Sequence, residues 1–435
     1  MQLTKKQKQA LAKLGISELN PMQEAAHQAI TDHEDIVLLS PTGSGKTVAF
    51  LLPLLERIDP HLEAVQLLVL APSRELAIQI ETVLRQMATG IKVNAFYGGQ
   101  YFTKDKQNLK HIPAAIIGTP GRIADHIRRD SFSLSKTRLL VIDEYDKSLE
   151  IGFEKEMKFI VKNLKALKRK ILTSATDGID LPGFLDMKKP TRLDYLYTKK
   201  PSLTVKHILS PDKDKLSTLV KTLRHLGDQL ALVFCNYKDS INRISDHLKE
   251  EGIPHGKYYG GMEQKDRERA LIKFRNGTHR LLVTTDLAAR GLDIPEVKYI
   301  LHYHLPFREE EFIHRNGRTA RMNASGAVYV LHWAEEELKD YLQDTEEELL
   351  TEVHELTDTE WTTLFISGGR KDKISKGDIA GLFMKEGDVE KEDLGLIELK
   401  QECSFVAIKS SEVKRICKQL NNSRLKKKKV RVYEI

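Results

Sequence analysis

The run Ser40-Pro-Thr-Gly-Ser-Gly-Lys-Thr47 has the residue types of a phosphate cradle. Thr42, Gly43, Ser44 and Gly45 are small enough for backbone N–H groups to curl around phosphate oxygens. The helix that opens next adds positive potential at its N-terminus. Lys46 can reach the β- and γ-phosphates, and Thr47 offers a hydroxyl to Mg2+. Ser40 stands where the general loop has glycine. A second pair, Asp143 and Glu144, closes the apolar run LLVI. Carboxylates at the carboxyl end of a parallel strand sit where such sheets bind ligands. Asp143 is suited to ordering Mg2+, and Glu144 to polarising an attacking water. Together the two segments predict nucleotide binding and phosphoryl hydrolysis.

These groups need a buried parallel sheet beneath them. Apolar runs at 35–40, 66–71, 114–119, 138–144 and 170–175 alternate with helical patterns such as SRELAIQIETVLRQM. Uniformly apolar strands alternating with helices indicate an α/β sheet covered on both faces. The pattern restarts after about residue 200, with runs at 231–236, 256–260, 280–285, 297–303 and 326–332. The tail differs: strand runs at 364–367, 394–400, 405–410 and 428–435 enclose two helical patterns. The order β-α-β-β-α-β is that of a small ferredoxin-like or RRM-like α+β domain. The expected division is 1–200, 201–334, an acidic linker 335–360, and 361–435.

A chain of 435 residues suggests about three domains. Its 40% hydrophobic content is enough for sizeable cores. The net charge of +7 is unevenly spread: about −11 on residues 331–360, about +6 on 361–435 and about +12 on 1–330. Basic bodies flanking an acidic segment point to an anionic partner such as nucleic acid. The segment AEEELKDYLQDTEEELL reads as a solvated helix or a tether. Cys235, Cys403 and Cys417 are scattered and odd in number, so neither a disulfide framework nor a cysteine zinc cluster is expected. No apolar run approaches the roughly 18 residues of a membrane span, and no secretory signal is visible. A cytoplasmic protein is expected.

An ordered series of motifs resembles the DEAD-box family of superfamily 2 RNA helicases over about residues 14–335. They run Pro21-Met22-Gln23, SPTGSGKT, APSRELA (71–77), Gly98-Gly99, TPGR (119–122), DEYD (143–146), SAT (174–176), VFCN (233–236), Gln264 with Arg267, TTDLAARGLD (284–293) and HRNGRTAR (314–321). The resemblance implies two RecA-like domains with ATP between them and RNA across both. It assigns Gln23 to the adenine edge and Asp293 to the ribose. Arg318 and Arg321 take the γ-phosphate as arginine fingers. Ser174 and Thr176 couple the nucleotide to domain closure. Arg74, Gly98, Gly99, Thr119, Arg122, Gln264, Arg267 and Thr285 would follow the RNA backbone, contacts that carry no sequence information. There are departures. Tyr145 replaces the alanine of D-E-A-D, Asn316 and Ala320 replace isoleucine and glycine, and Lys6 occupies the place of an upstream aromatic.

Residues 361–435 resemble the C-terminal RNA-binding domain of the DbpA/YxiN type. Phe365 and Phe405 are expected to point away from the tail's core, with Cys403 where a second stacking ring is usual. Arg370, Lys371, Lys373, Arg424, Lys426–Lys429 and Arg431 offer a phosphate footprint. The expectation is an ATP-dependent, Mg2+-requiring RNA helicase that locally unwinds short duplexes. Structured ribosomal RNA is the expected partner, in ribosomal RNA maturation or ribosome assembly. The alternatives are a helicase of RNA decay, an ATP-dependent RNA clamp without unwinding, and a DNA translocase of the same superfamily.

Overall fold

The computed structural model of the protein describes residues 3–87, 90–99, 101–177, 180–196, 203–286, 294–319, 326–357 and 359–435. These fall into two compact units, 3–196 and 203–435.

In the first unit the strands, in chain order, are β1 (Asp35–Leu39), β2 (Leu67–Leu70), β3 (Val93–Phe96), β4 (Ala115–Gly118), β5 (Leu139–Ile142), β6 (Arg169–Ser174) and β7 (Thr191–Asp194). They form one parallel sheet in the order β3-β4-β2-β5-β6-β1-β7. Alternate strand residues feed two separate cores. Ile36, Leu38, Leu67, Val69 and Val141 pack on one face, and Val37, Leu39, Leu68, Leu70 and Ile142 on the other. Burial on both faces is why these strands read as unbroken apolar runs.

The second unit contains β8 (Leu203–Ser210), β9 (Ala231–Cys235), β10 (Gly256–Tyr258), β11 (Leu281–Thr285), β12 (Tyr299–His302), β13 (Gly326–Trp333) and β14 (Glu346–Glu347). Its parallel sheet runs β10-β11-β9-β12-β13-β8-β14. Each strand takes the place of the one seven earlier in the chain, so the two sheets share one topology.

The same unit carries a four-stranded antiparallel sheet made by β15 (Trp361–Ile366), β16 (Leu394–Leu399), β17 (Ser404–Lys409) and β20 (Val432–Glu434), in the order β16-β17-β15-β20. The helices Lys376–Gly381, continued by a wider turn to Glu386, and Val413–Leu420 cover one face. The run 428–435 is not one strand, as its sequence suggests. β18 (Arg424–Leu425) and β19 (Lys428–Lys429) pair as a small hairpin, and the chain joins the main sheet only at Val432. Buried Leu425 and Val430 anchor the hairpin to the core and force the break.

The acidic segment is neither a solvated helix nor a free tether. Residues 335–357 lie along the second sheet, with a short 3-10 turn at Asp340–Leu342 and β14 paired to β8. Leu342 is fully buried, and Leu350 and Leu356 pack on the sheet's core. The carboxylates find cations: Glu336 meets Lys215 at 2.9 Å, and Glu348 meets Lys206 and His225. Those pairs and the buried leucines outweigh the helix propensity of the glutamates.

Candidate nucleotide and RNA sites

The phosphate loop lies between β1 and the helix Lys46–Leu54. Gly43 and Gly45 have φ of +83° and +89°, values that side-chain-bearing residues rarely adopt. Ser40 Oγ donates to Ser44 Oγ at 2.7 Å, so the serine in the usual glycine position braces the loop. The Lys46 ammonium donates to Ser40 O at 2.5 Å and Pro41 O at 2.9 Å, over the cradle itself.

Gln23 belongs to this loop as well. Its carboxamide oxygen accepts from Asn20 N, closing the capping box of the helix Pro21–Asp32. Its nitrogen donates to Gly45 O at 3.3 Å. Lys6, in the place of the upstream aromatic, turns its ammonium to Leu55 O.

Asp143 and Glu144 follow β5, beside β6. Asp143 is buried and accepts from Thr173 Oγ1. Burial pushes its carboxyl up, while that hydrogen bond and the Lys46 charge pull it down. Glu144 sits half-buried with φ +49° and ψ +54°, a left-handed conformation that is strained for glutamate. Its N–H donates to Thr173 Oγ1 at 3.2 Å. One turn on, Asp146 Oδ2 accepts from Thr176 Oγ1 at 3.0 Å, and Ser174 Oγ donates to Thr176 O at 2.7 Å. The acidic box and the SAT motif are thus joined side chain to side chain. Tyr145 is buried in the core and leaves both aspartates in place.

The other groups of this unit that the resemblance assigns to RNA follow β2, β3 and β4. The Arg74 guanidinium lies 4.5 Å over the Tyr97 ring, beside Gly99. Thr119 opens the helix Pro120–Arg128 after β4. Arg122 is already engaged. It donates to buried Asp105 at 2.9 and 2.7 Å, and His126 approaches the same oxygen.

In the second unit, Thr285 ends β11, and Gln264 and Arg267 open the helix Gln264–Arg275 after β10. Arg267 stacks 5.0 Å over the Tyr258 ring and donates to its hydroxyl. Arg318 is buried just past the helix Glu309–Asn316. Asp293 and Arg321 lie outside the described residues. A group that motif reading passed over is Arg315. Fully buried, it pairs with Asp286 and donates to Asn236 Oδ1 and His304 O. Its three partners end β11, β9 and β12, so it ties three strand ends together. The signal was present in the sequence, since Asp286, Asn236 and Arg315 each lie within a quoted motif. Asn316 accepts from His302 at 2.9 Å, giving its departure from isoleucine a buried polar partner.

Residues 20–180 match the DEAD/DEAH box helicase family, 214–323 the helicase conserved C-terminal domain, and 363–434 the DbpA RNA binding domain. The ATP-dependent RNA helicase DbpA of Bacillus subtilis is 30% identical over 97% of this chain and 96% of its own length. Its namesake from Escherichia coli K12 is 33% identical over 97% and 95%. The chain belongs to the DEAD-box RNA helicases. It is an ATP-dependent, RNA-stimulated enzyme with two RecA-like domains and an RNA-binding tail. Among solved structures, yeast Dbp5 bound to RNA and ADP BeF3 aligns with a TM-score of 0.68 at 25% identity, covering 77% of this chain and 88% of that one. No helix among the described residues is long and apolar enough to cross a membrane.

The helicase tail keeps its predicted polarity. Leu364, Ile366, Val406 and Ile408 face its core, and Phe365 and Phe405 lie on the other face. Tyr433, unnoticed in the sequence, extends this row, with its ring 4.9 Å from that of Phe365. The hairpin Arg424–Lys429 meets the turn 370–378 through Lys428–Asp372 and Lys426–Asp378, both 2.7 Å. Two basic clusters far apart in sequence therefore share one surface.

Proposed function

We propose that this helicase locally separates short RNA duplexes by closing its two RecA-like domains on one strand, in ribosomal RNA maturation or ribosome assembly in the cytoplasm. The observation that carries the mechanism is Glu144 held on a strained turn, with its two neighbouring aspartates tied to Thr173 and Thr176. Glu144 orients water toward the γ-phosphate, and Lys46 holds the β- and γ-phosphates. Mg2+ fits the oxygen donors Thr47 and Asp143, whose burial leaves the carboxylate in need of a cation. The ion would neutralise phosphate charge there. Arg318 and Arg321 complete the site on closure. Gln23 and Asp293 bind adenine and ribose. Arg74, Gly98, Gly99, Thr119, Arg122, Gln264, Arg267 and Thr285 grip the RNA backbone. We divide the chain as 1–200, 201–334, 335–360 and 361–435. The ribosomal assignment rests on the DbpA-type tail, whose basic hairpin surface suits the phosphates of structured RNA.

Glu144→Gln tests the reading. The glutamine keeps size and hydrogen bonding but loses the charge that polarises water. ATP and RNA should still bind, while RNA-stimulated turnover and strand separation fall by orders of magnitude. Near-normal turnover would refute the assignment. Wild-type ATPase without strand separation of a short duplex would make the protein a clamp.

A further inference from the structure

One end of the tail's outward sheet face is covered by its own chain. The row Glu398, Phe405, Phe365 and Tyr433 crosses all four strands in register. Exposure grades along it: Phe405 is only 4% exposed, Phe365 is half-buried and Tyr433 is 40% exposed. Phe405 is not part of the tail's core cluster. At the buried end of the row lies the helix Gln264–Arg275 of the second RecA-like domain. Arg275 makes a two-pronged pair with Glu398 at 2.6 and 2.8 Å. Glu268, two turns earlier, meets Lys400 at 3.1 Å. Just past the helix, Asn276 and Thr278 reach the fully buried Thr363 at 3.3 and 2.6 Å. Trp361 packs beside Gly277, whose φ of +76° ends the helix.

Residues 335–357, which lead toward the tail, are laid down as well. They pair with β8, bury Leu342 and pin Thr357 to Asp228 at 3.0 Å. Two independent features, a laid-down connection and a bonded seam, hold the tail to the second domain. The helix at the seam opens with Gln264 and Arg267, the groups assigned above to the RNA backbone.

We propose that the tail is a fixed arm of the second RecA-like domain, with Arg275 and Glu398 as the positioning pair. The inference rests on the RNA-binding roles proposed above for the tail and for Gln264 and Arg267. The seam sets a constant spacing and orientation between structured RNA held by the tail and the strand held by the second domain. Substrates are then selected by the geometry between a folded RNA element and an adjacent strand. A loose tether would accept many such geometries; a fixed arm accepts few.

The test uses the full chain with spin labels at the exposed positions Lys249 and Lys414, in a background where the three native cysteines are replaced. The wild-type distance distribution should be narrow. Glu398→Arg places two cations at the seam and should broaden it, and Arg275→Glu with Glu398→Arg should narrow it again. ATPase stimulation by total ribosomal RNA should need about tenfold more RNA in the single variant. Stimulation by poly(U) should stay unchanged, and the swap should recover the loss. A broad wild-type distribution, or a broadened variant with unaltered ribosomal RNA stimulation, overturns the fixed arm. If wild-type protein shows no preference for ribosomal RNA over poly(U), the ribosomal reading fails instead, and the distances still decide whether the arm is rigid.

Discussion

The two parallel sheets share a strand order, yet only one carries a nucleotide loop. After β1 the chain reads Ser40-Pro-Thr-Gly-Ser-Gly-Lys-Thr47, and after β8 it reads Pro211-Asp-Lys-Asp-Lys215. The second loop has no glycine, and none of its residues takes a positive φ like those of Gly43 and Gly45. Its acidic residues would repel a phosphate. Its lysine is used differently: Lys215 is buried, donates to Leu331 O and pairs with Glu336 of the acidic segment. One topological position carries the proposed phosphate loop in the first sheet and a packing loop in the second. The strands at one side of each sheet tell the opposite story. The edge strands β3 and β10 and their neighbours β4 and β11 all lead into groups assigned to RNA. Shared topology therefore puts the groups proposed for RNA at matching places in the two sheets, while only the first sheet carries a phosphate-type loop.

The sharpest way to break this comparison is to remove the two lysines. Lys46→Ala should lower ATP turnover by about 100- to 1,000-fold, the usual cost of losing one charge at the transferring phosphate. Stability should fall as well, since Ser40 O and Pro41 O lose their donor. Lys215→Ala should cost about 1–3 kcal/mol of stability for the same reason, without the loss of turnover. Turnover measured well below the melting temperature should be near normal. Steady-state ATPase and thermal melts on both variants check the pair. A catalytic loss in Lys215→Ala would mean that the second loop takes part in the reaction.

How much of this was legible in the sequence follows burial. β1, β2, β4, β5 and β6 are buried on both faces and read as apolar runs. β3 (VNAF) and β7 (TRLD) sit at the sheet's two ends, carry polar residues and left no such run. β8 (LTVKHILS) is mostly half-buried and carries polar residues, and was invisible for the same reason. The residues proposed for the nucleotide stood out because that chemistry demands particular types at fixed spacing. Arg315 was passed over because its task is to join strand ends, which only the fold brings together. The acidic segment was misread because composition shows charge but not the cations waiting for it on β8 and at Lys215.

Acid should also separate the two units. His255, His279, His302, His304 and His332 of the second unit all have pKa values lowered by burial, His279 and His304 to about 4. In the first unit only His27 is shifted this way among the described residues. Above about pH 6.5 these imidazoles are neutral folded or unfolded and contribute no pH dependence. Below it the unfolded chain takes up protons that the folded chain refuses, so stability falls as pH drops toward 4. Asp143 and Asp146 have raised values, so first-unit stability gains as they protonate. The second unit should therefore weaken first, by a few kcal/mol in all between pH 7 and 5. Trp333 and Trp361, the only tryptophans, lie in the second unit, so their fluorescence follows it alone. The urea midpoint by fluorescence should drop with pH faster than the midpoint by far-ultraviolet dichroism. Coincident midpoints at every pH would show that the units unfold as one.

The smallest expected effect concerns Gln23, which has no counterpart on the second loop. Its side chain caps the helix Pro21–Asp32 and bonds Gly45 O, so it touches both the helix start and the phosphate cradle. A carboxamide carries a donor and an acceptor side by side, the pattern an adenine edge requires. To read a base it must give up at least one of those internal bonds. Gln23→Ala should cost about 1 kcal/mol of stability through the lost cap. It should also weaken ATP binding by about tenfold and narrow the gap between ATP and GTP, one or two hydrogen bonds' worth of discrimination. Gln23→Glu separates the two roles. The carboxylate can still accept from Asn20 N and so preserve the cap, but it has no N–H to offer adenine or Gly45. Equilibrium binding of fluorescent ATP and GTP analogues, alongside melts of both variants, reads the split. If Glu at this position keeps both the stability and the preference for ATP, Gln23 is a capping residue, and base selectivity lies with other residues.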